Sequence, residues 1–222
     1  MFYGDSEDFM LNGIKACCFD MDGTIIDSVW VWTDIDKTFL EERGLPFDPD
    51  FQKELDGMNF RQVAEYFLTR FDVDETADRL IEIWNQMALD KYQNEIELKP
   101  GVKEFLSKLK QRGIKAAIAT SNSRLLAMSC LKAHGIDEYF DAIITGDDVI
   151  NGKPAPDIYL ACARACDVRP EECLVFEDIV AGLQAGRNAG MKTCAVYDEY
   201  SAAKDKEKRR IADYYIDSFT DI

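Results

Sequence analysis

Histidine is almost missing from this chain: His134 is the only one in 222 residues. That excludes a metal centre built on several imidazoles and an H-E-x-x-H helix. His134 stands before Gly135 at the end of a helical pattern over 124–133, and a cationic ring beside a glycine cap is an ordinary helix-end arrangement. No G-x-S-x-G elbow accompanies it, so a serine triad has no sequence support. Basic charge is also short. Against 42 acidic residues there are 26 basic ones, a net charge of −16. Such a chain lacks the Lys and Arg footprint that neutralises nucleic-acid polymers, and an anionic membrane surface repels it. No apolar run is long enough to span a bilayer. The acidic segment from Met1 to Asp8 lacks the apolar stretch of a signal peptide. The seven cysteines are an odd set without a C-x-x-C pair, which argues against a disulfide framework or a zinc ribbon. Most sit in apolar runs, so buried, reduced thiols of a cytoplasmic protein are expected.

What the chain does have is a core. Hydrophobic residues make up 47% of it, enough for one large domain or one domain with an insertion. Short, non-alternating apolar runs occur at 14–19, 116–119, 142–144, 173–176 and 193–196. Runs of this kind suit strands buried on both faces of a parallel sheet. Helical patterns lie between them at 102–110, 124–133, 157–165 and 180–189. The alternation predicts a doubly wound, mostly parallel, Rossmann-like α/β sheet. It breaks once. From 29 to 97 there is no strand signal, only helical patterns at 29–43, 50–55, 61–70 and 76–94. Asn59 followed by Gln62 resembles a capping box at the start of the third. The expected organisation is a catalytic α/β core of residues 1–28 and 98–222, with a helical insertion of residues 29–97 entered through hinges near 27–31 and 94–100. Trp30 and Trp32 at the first hinge either line a site or pack the inserted helices, and packing is expected.

In open α/β sheets, ligands bind at the carboxyl ends of the strands. The residues following each apolar run are therefore informative. They are Asp20-Met-Asp-Gly-Thr24, Thr120-Ser-Asn-Ser123, the segment from Thr145 to Lys153-Pro154, and Glu177-Asp178. Each has an ordinary structural reading. Asp20 to Thr24 could be a β-turn, Asp178 and Ser123 or Asn122 could be helix caps, and Lys153 could be a surface residue in a proline-rich turn. Together they place carboxylates, hydroxyls, helix-start N–H groups and a lysine at one sheet edge. Clustered carboxylates repel one another unless a cation joins them, and an all-oxygen set favours Mg²⁺. A conformationally restricted Lys153 and the N–H groups after Thr120 suit an anion such as a phosphoryl group.

Phe19-Asp-Met-Asp-Gly-Thr24, Ile118-Ala-Thr-Ser-Asn122, Gly152-Lys-Pro-Ala-Pro-Asp157 and Val175-Phe-Glu-Asp178 resemble the four motifs of the haloacid dehalogenase-like hydrolase superfamily. Gly182 to Met191 is similar to the β-phosphoglucomutase-like branch, as is the helical insertion, which looks like that branch's cap. The resemblance covers residues 14 to 219. It implies a Mg²⁺-dependent phosphatase acting on a small phosphorylated metabolite. Asp20 would be the nucleophile and Asp22 the general acid and then base. Thr120, with Ser121 and Asn122, and Lys153 would bind the phosphoryl group. Asp20, the Asp22 main chain and Asp178 would hold the metal, with Glu177 either a ligand or a supporting partner. An acid at Asp22 favours phosphate-ester chemistry over dehalogenation. Trp32 stands where the mutases of the branch are expected to carry a histidine, and the segment from Asp56 to Phe60 lacks basic residues for a second phosphate. Both departures favour a phosphatase over a sugar phosphomutase. Ile179 replaces a serine found in many relatives, without loss of an expected catalytic role.

Overall fold

A computed structural model describes residues 6–48, 54, 55 and 58–222. Along the chain run α1 (Ser6–Leu11), β1 (Ala16–Phe19), β2 (Ile26–Asp27), α2 (Val29–Glu42), α3 (Phe60–Phe71), α4 (Ala77–Asn94) and β3 (Glu97–Leu98). Then come α5 (Val102–Gln111), β4 (Lys115–Ala119), α6 (Arg124–Ala133), β5 (Ala142–Ile144), α7 (Asp157–Ala165), β6 (Cys173–Glu177), α8 (Val180–Asn188), β7 (Lys192–Val196), α9 (Asp205–Ile211) and β8 (Tyr214–Ile216). Among the described residues β5-β4-β1-β6-β7-β8 form one sheet, and every neighbouring pair in it is parallel. The five expected strands all form. The sixth, β8, pairs on the edge beside β7. Its half-buried Tyr-Tyr-Ile segment is not a continuous apolar run, so it carries no buried-strand signature.

The two faces of β1 follow the period-two rule. Cys17 and Phe19 enter one apolar cluster with α5, α6 and the inserted helices. Ala16 and Cys18 enter the other, with α7 and α8. The second side is rich in alanine and cysteine, and α8 lies so close that a Cβ on Gly186 would come within 2.8 Å of Thr193. The first side is aromatic. Phe19 stacks on Phe176 with ring centroids 4.9 Å apart, and Phe105 and Phe219 pack on both rings.

Residues 29–94 hold α2, α3 and α4, with no strand among the described residues. The Asn59–Gln62 capping box forms as expected. The helical pattern at 50–55 falls largely outside the described residues. Phe39, Phe67 and Trp84, each essentially inaccessible, form the centre of these helices. β2 runs into the first expected hinge and β3 lies within the second, and the two pair antiparallel with Ile26 opposite Leu98 and Asp27 opposite Glu97. The chain thus leaves and re-enters the α/β layer through a two-stranded ribbon. His134, at the end of α6, donates from Nε2 to the Ile96 carbonyl at 3.0 Å. The residue stands at the helix end, as expected, and its ring fastens the second linker. No described helix is long and apolar enough to cross a membrane.

Phe219 is 2% exposed although it lies three residues from the chain's last position. Phe219→Ala should cost about 3–5 kcal/mol, the usual loss for a truncated core aromatic. Urea denaturation with an unchanged m-value measures it. A loss below about 1 kcal/mol would show that this segment is not part of the core.

Candidate active site

Chain order reverses direction around β1. β4 and β5 lie on one side of it, and β6, β7 and β8 on the other. Such a switch point opens a crevice at the carboxyl ends of the strands. Phe19 and Phe176 are partners across β1 and β6, and the Asp20 N–H donates to the Phe176 carbonyl at 3.0 Å. This register sets the residues after β1, Asp20 to Thr24, against Glu177 and Asp178.

Lys153 reaches the crevice from the loop between β5 and α7. Its side chain is 2% exposed, and its ammonium donates at 2.5 Å both to Asp20 Oδ1 and to Glu177 Oε1. Burial alone would lower the Lys153 pKa, but the two carboxylates outweigh it and raise it, so the amine stays charged. Glu177 is fully inaccessible and fully engaged. Oε1 also accepts from the Tyr159 hydroxyl at 2.9 Å, and Oε2 accepts from the N–H groups of Asp178 and Ile179 at 3.0 and 3.2 Å. A Cβ on Gly182 would lie 1.8 Å from Oε1, so only glycine leaves room for this carboxylate at the start of α8.

Asp178 is turned toward Asp20, not toward the helix behind it. The N-cap of α8 is Ile179, which makes no side-chain cap, and this overturns the helix-cap reading of Asp178. The Thr24 hydroxyl lies 3.0 Å from Asp178 Oδ1 and 3.3 Å from Asp20 Oδ2. Thr24 is therefore held in the turn and starts no helix. Asp20, Glu177 and Asp178 offer oxygens within 4.8 Å of one another, all buried. Three carboxylates against the single Lys153 charge leave a surplus of two negative charges. Burial, with Glu177 adding to it, raises the Asp178 pKa well above the ordinary value. Burial also pushes Asp20 from 3.8 up to about 7, despite the opposing pull of Lys153. A buried set of hard oxygens with that surplus fits a divalent cation such as Mg²⁺.

Asp22 lies across the crevice. Its Oδ1 accepts from the Ser28 hydroxyl at 2.7 Å and from the Tyr92 hydroxyl. Among the described residues its Oδ2 has only longer contacts, with Asn122 Nδ2 at 3.4 Å and Thr120 Oγ1 at 3.5 Å. Thr120 Oγ1 also accepts from the Asn122 N–H at 3.1 Å. The Ser121 carbonyl accepts from the Phe60 N–H at 3.3 Å, which joins the β4 loop to the start of α3. Ser123 is the N-cap of α6. A cavity of about 210 Å³ opens over Asp20, Asp22, Thr120, Ser121 and Lys153, and its far wall comes from the inserted helices, including Trp32, Phe60 and Trp84.

The residues read from sequence, Asp20, Asp22, Thr120, Ser121, Asn122, Lys153, Glu177 and Asp178, all gather around this crevice. Trp32 could either line a site or pack, with packing favoured. It both packs edge-on against Phe60 and lines the cavity, and its indole N–H donates to Tyr92. Trp30 is 42% exposed and packs little. Sequence reasoning missed Tyr92, Ser28 and Tyr159. Tyr92 and Tyr159 are aromatics on core-facing helix positions, which look like ordinary packing. The available signal for Tyr92 was its place just before the second hinge.

The description of the family whose model matches this chain is "haloacid dehalogenase-like hydrolase", and the match spans residues 17–196. The chain is 29% identical over 179 residues to the phosphorylated carbohydrates phosphatase of Thermotoga maritima, covering 81% of this chain and 83% of that one. It is 33% identical over 187 residues to β-phosphoglucomutase of Bacillus subtilis, covering 80% and 81%. Its structure resembles the crystal structure of CbbY from Rhodobacter sphaeroides in complex with phosphate, with a TM-score of 0.83, 26% identity, and coverage of 93% and 95%.

Two outcomes follow from this geometry. A methyl group at position 182 collides with Glu177 and frees Lys153 from one of its partners. Gly182→Ala should therefore destabilise the chain by about 3–5 kcal/mol in denaturant titrations, as for a broken buried ion pair; a variant as stable as wild type would show that Glu177 is not confined there. The second concerns pH. A carboxyl whose folded pKa is raised binds more protons folded than unfolded. Without metal, the Asp20 contribution to stability therefore falls as pH rises between 3.8 and about 7. A divalent cation bound there would need the ionised carboxylates, so any melting-temperature gain from added Mg²⁺ should be larger at about pH 8 than at about pH 5. Equal gains at both pH values would refute this.

Proposed function

The chain belongs to the haloacid dehalogenase-like hydrolases, and on that premise we propose that it is a Mg²⁺-dependent phosphomonoesterase acting on a small phosphorylated metabolite. The observation that carries the reading is the pair Asp20 and Asp22, two residues apart in one loop yet held in different surroundings. Asp20 faces Lys153 and the carboxylate cluster; Asp22 faces hydroxyls and Asn122. A nucleophile needs the first environment and a proton donor the second.

In the proposed reaction an Asp20 oxygen attacks phosphorus and the bond from phosphorus to the ester oxygen breaks. The departing oxygen takes its proton from Asp22. Water then attacks the aspartyl-phosphate, Asp22 takes the water's proton, and the acyl–phosphate link breaks to release phosphate and regenerate Asp20. Lys153 balances charge on the transferring oxygens, and Thr120 with the N–H groups at the start of the β4–α6 connection orients them. Asp20, Asp178 and the Asp22 main chain are the candidates to hold the metal. Bound there, Mg²⁺ would supply charge neutralisation to nucleophile and phosphoryl group. Glu177 is read as the holder of Lys153 and not as a ligand, because Lys153, Tyr159 and two N–H groups already use its oxygens. Residues 29–97 would act as a cap over the core of residues 1–28 and 98–222, excluding water and selecting the substrate. The buried, unpaired cysteines support a reducing, cytoplasmic setting.

Similarity to β-phosphoglucomutase favours a second reading, a sugar phosphomutase. Against it, Trp32 occupies the position expected for the mutase histidine and its N–H is engaged with Tyr92. Among the described residues lining the cavity, Lys153 is the one cationic side chain. That supports a substrate with one phosphate held at the sheet edge.

A screen of phosphorylated sugars and alcohols with Mg²⁺, reading inorganic phosphate, should find turnover. EDTA should remove it and added Mg²⁺ restore it. Asp20→Asn should lower it by more than about a thousandfold with an unchanged far-UV circular dichroism spectrum. Full activity in that variant, or indifference to EDTA, would refute the proposal. Isomer formation from a sugar phosphate with a bisphosphate primer would replace it with the mutase.

A further inference from the structure

The hydroxyl of Tyr92 sits among three groups whose hydrogen-bonding roles leave it no choice. The Trp32 indole N–H, a donor only, reaches it at 3.0 Å. The Asn122 Nδ2 amide donates to it at 2.8 Å. The orientation of that amide is independently set, because Asn122 Oδ1 accepts from the Ser123 N–H at 2.8 Å. A phenol has one proton to give and two lone pairs to receive with. Both lone pairs are taken by Trp32 and Asn122, so the Tyr92 proton is directed to Asp22 Oδ1. Ser28 donates to the same oxygen at 2.7 Å.

The consequence falls on Asp22. An oxygen that accepts two strong donors has no room for a proton of its own, so a protonated Asp22 carries its hydrogen on Oδ2. Among the described residues that oxygen has only the longer contacts to Asn122 and Thr120, beside the residues proposed to hold the phosphoryl group. We propose that Tyr92 is a positioning residue that, fixed by Trp32, makes Oδ2 the oxygen of Asp22 that delivers the proton. This rests on Asp22 being the general acid of the reaction above. As the bond from phosphorus to the ester oxygen breaks, its electron pair stays on that oxygen. The oxygen takes the Oδ2 proton, leaving a carboxylate still held at Oδ1. Tyr92 and Trp32 belong to the last and first helices of the insertion, α4 and α2. The orientation of the acid is thereby tied to the placement of the helices that cover it.

Leaving-group dependence tests this. p-Nitrophenolate leaves without a proton, whereas an alkoxide needs one, and kcat/KM reports the step in which the leaving group departs. Tyr92→Phe should lower kcat/KM for glycerol 3-phosphate or fructose 1-phosphate by about 10- to 100-fold, and for p-nitrophenyl phosphate by less than about threefold. Trp32→Phe, which removes a donor to the Tyr92 hydroxyl, should shift the same ratio in the same direction by a smaller factor. It serves as the second variant should Tyr92→Phe not fold. Equal losses for alkyl and aryl esters, or no loss for either, would overturn the positioning role while leaving the phosphatase reading intact. If wild-type protein with Mg²⁺ releases phosphate from none of the phosphorylated sugars and alcohols of the screen above and from no aryl phosphate, the phosphatase reading fails and takes this proposal with it.

Discussion

One ammonium group shared by two carboxylates organises the site. Lys153 lies between Asp20 and Glu177, and all three are removed from water. Burying the ions is costly, and removing one partner of such a group typically costs about 3–5 kcal/mol. The surroundings are accordingly built to keep the arrangement complete. Tyr159 and two main-chain N–H groups satisfy the remaining capacity of Glu177, and Gly182 leaves it space. With Glu177 occupied, Lys153 is held at one oxygen of Asp20. The other oxygen of Asp20 and the carboxylate of Asp178 face a common space, bridged by Thr24. Gly23 beside them adopts a φ of +80°, and a Cβ there would lie 2.5 Å from Asp178 Oδ2. The turn after β1 therefore needs a residue without a side chain at that point.

The core was legible in the sequence because its strands are buried on both faces. Cys17, Cys18, Ala117 and Val175 have no polar alternation to confuse with a surface strand, and breakers flank each run. The site was legible for a related reason. Polar residues directly after a buried strand, such as Asp20 and Glu177, have no ordinary packing role. What escaped were features defined by pairing or by geometry across the chain. β2 and β3 are two residues each and separated by the whole insertion, so neither has a pattern of its own. β8 is an edge strand with half-buried tyrosines. Glu177 read equally as ligand or support until its four donors were seen. Tyr92 occupies a core-facing position of an amphipathic helix, where an aromatic is expected on packing grounds alone; its hydroxyl has a task that periodicity does not encode.

The net charge of −16 acquires a local meaning in this arrangement. It speaks against a polyanionic partner because long polyanions need an extended cationic surface. A single phosphoryl group needs only one well-placed cationic site. Here one lysine and a carboxylate cluster suited to a divalent ion stand at the same edge, so an acidic chain can serve a small anion. Burial sharpens the effect. The same low-polarity setting that raises the pKa of Asp20 and Asp178 also strengthens their attraction for a cation.

The helices between residues 29 and 94 and the sheet are coupled at more points than a pair of linkers would supply. The β2–β3 ribbon joins the linkers to one another, and His134 ties the second of them to α6. The Phe60 N–H meets the Ser121 carbonyl at the start of α3. The Tyr92 hydroxyl reaches Asp22 from the end of α4. The first two contacts constrain where the helices can lie, and the last two land directly on the loops that carry Ser121 and Asp22. A displacement of these helices would therefore alter the surroundings of Asp22 and the β4 loop while leaving Lys153, Asp20 and Glu177, whose bonds lie within the α/β layer, in place. The proposed nucleophile and the proposed acid are thus governed by different parts of the fold: Asp20 by the buried ion group at the sheet edge, Asp22 by the helices above it.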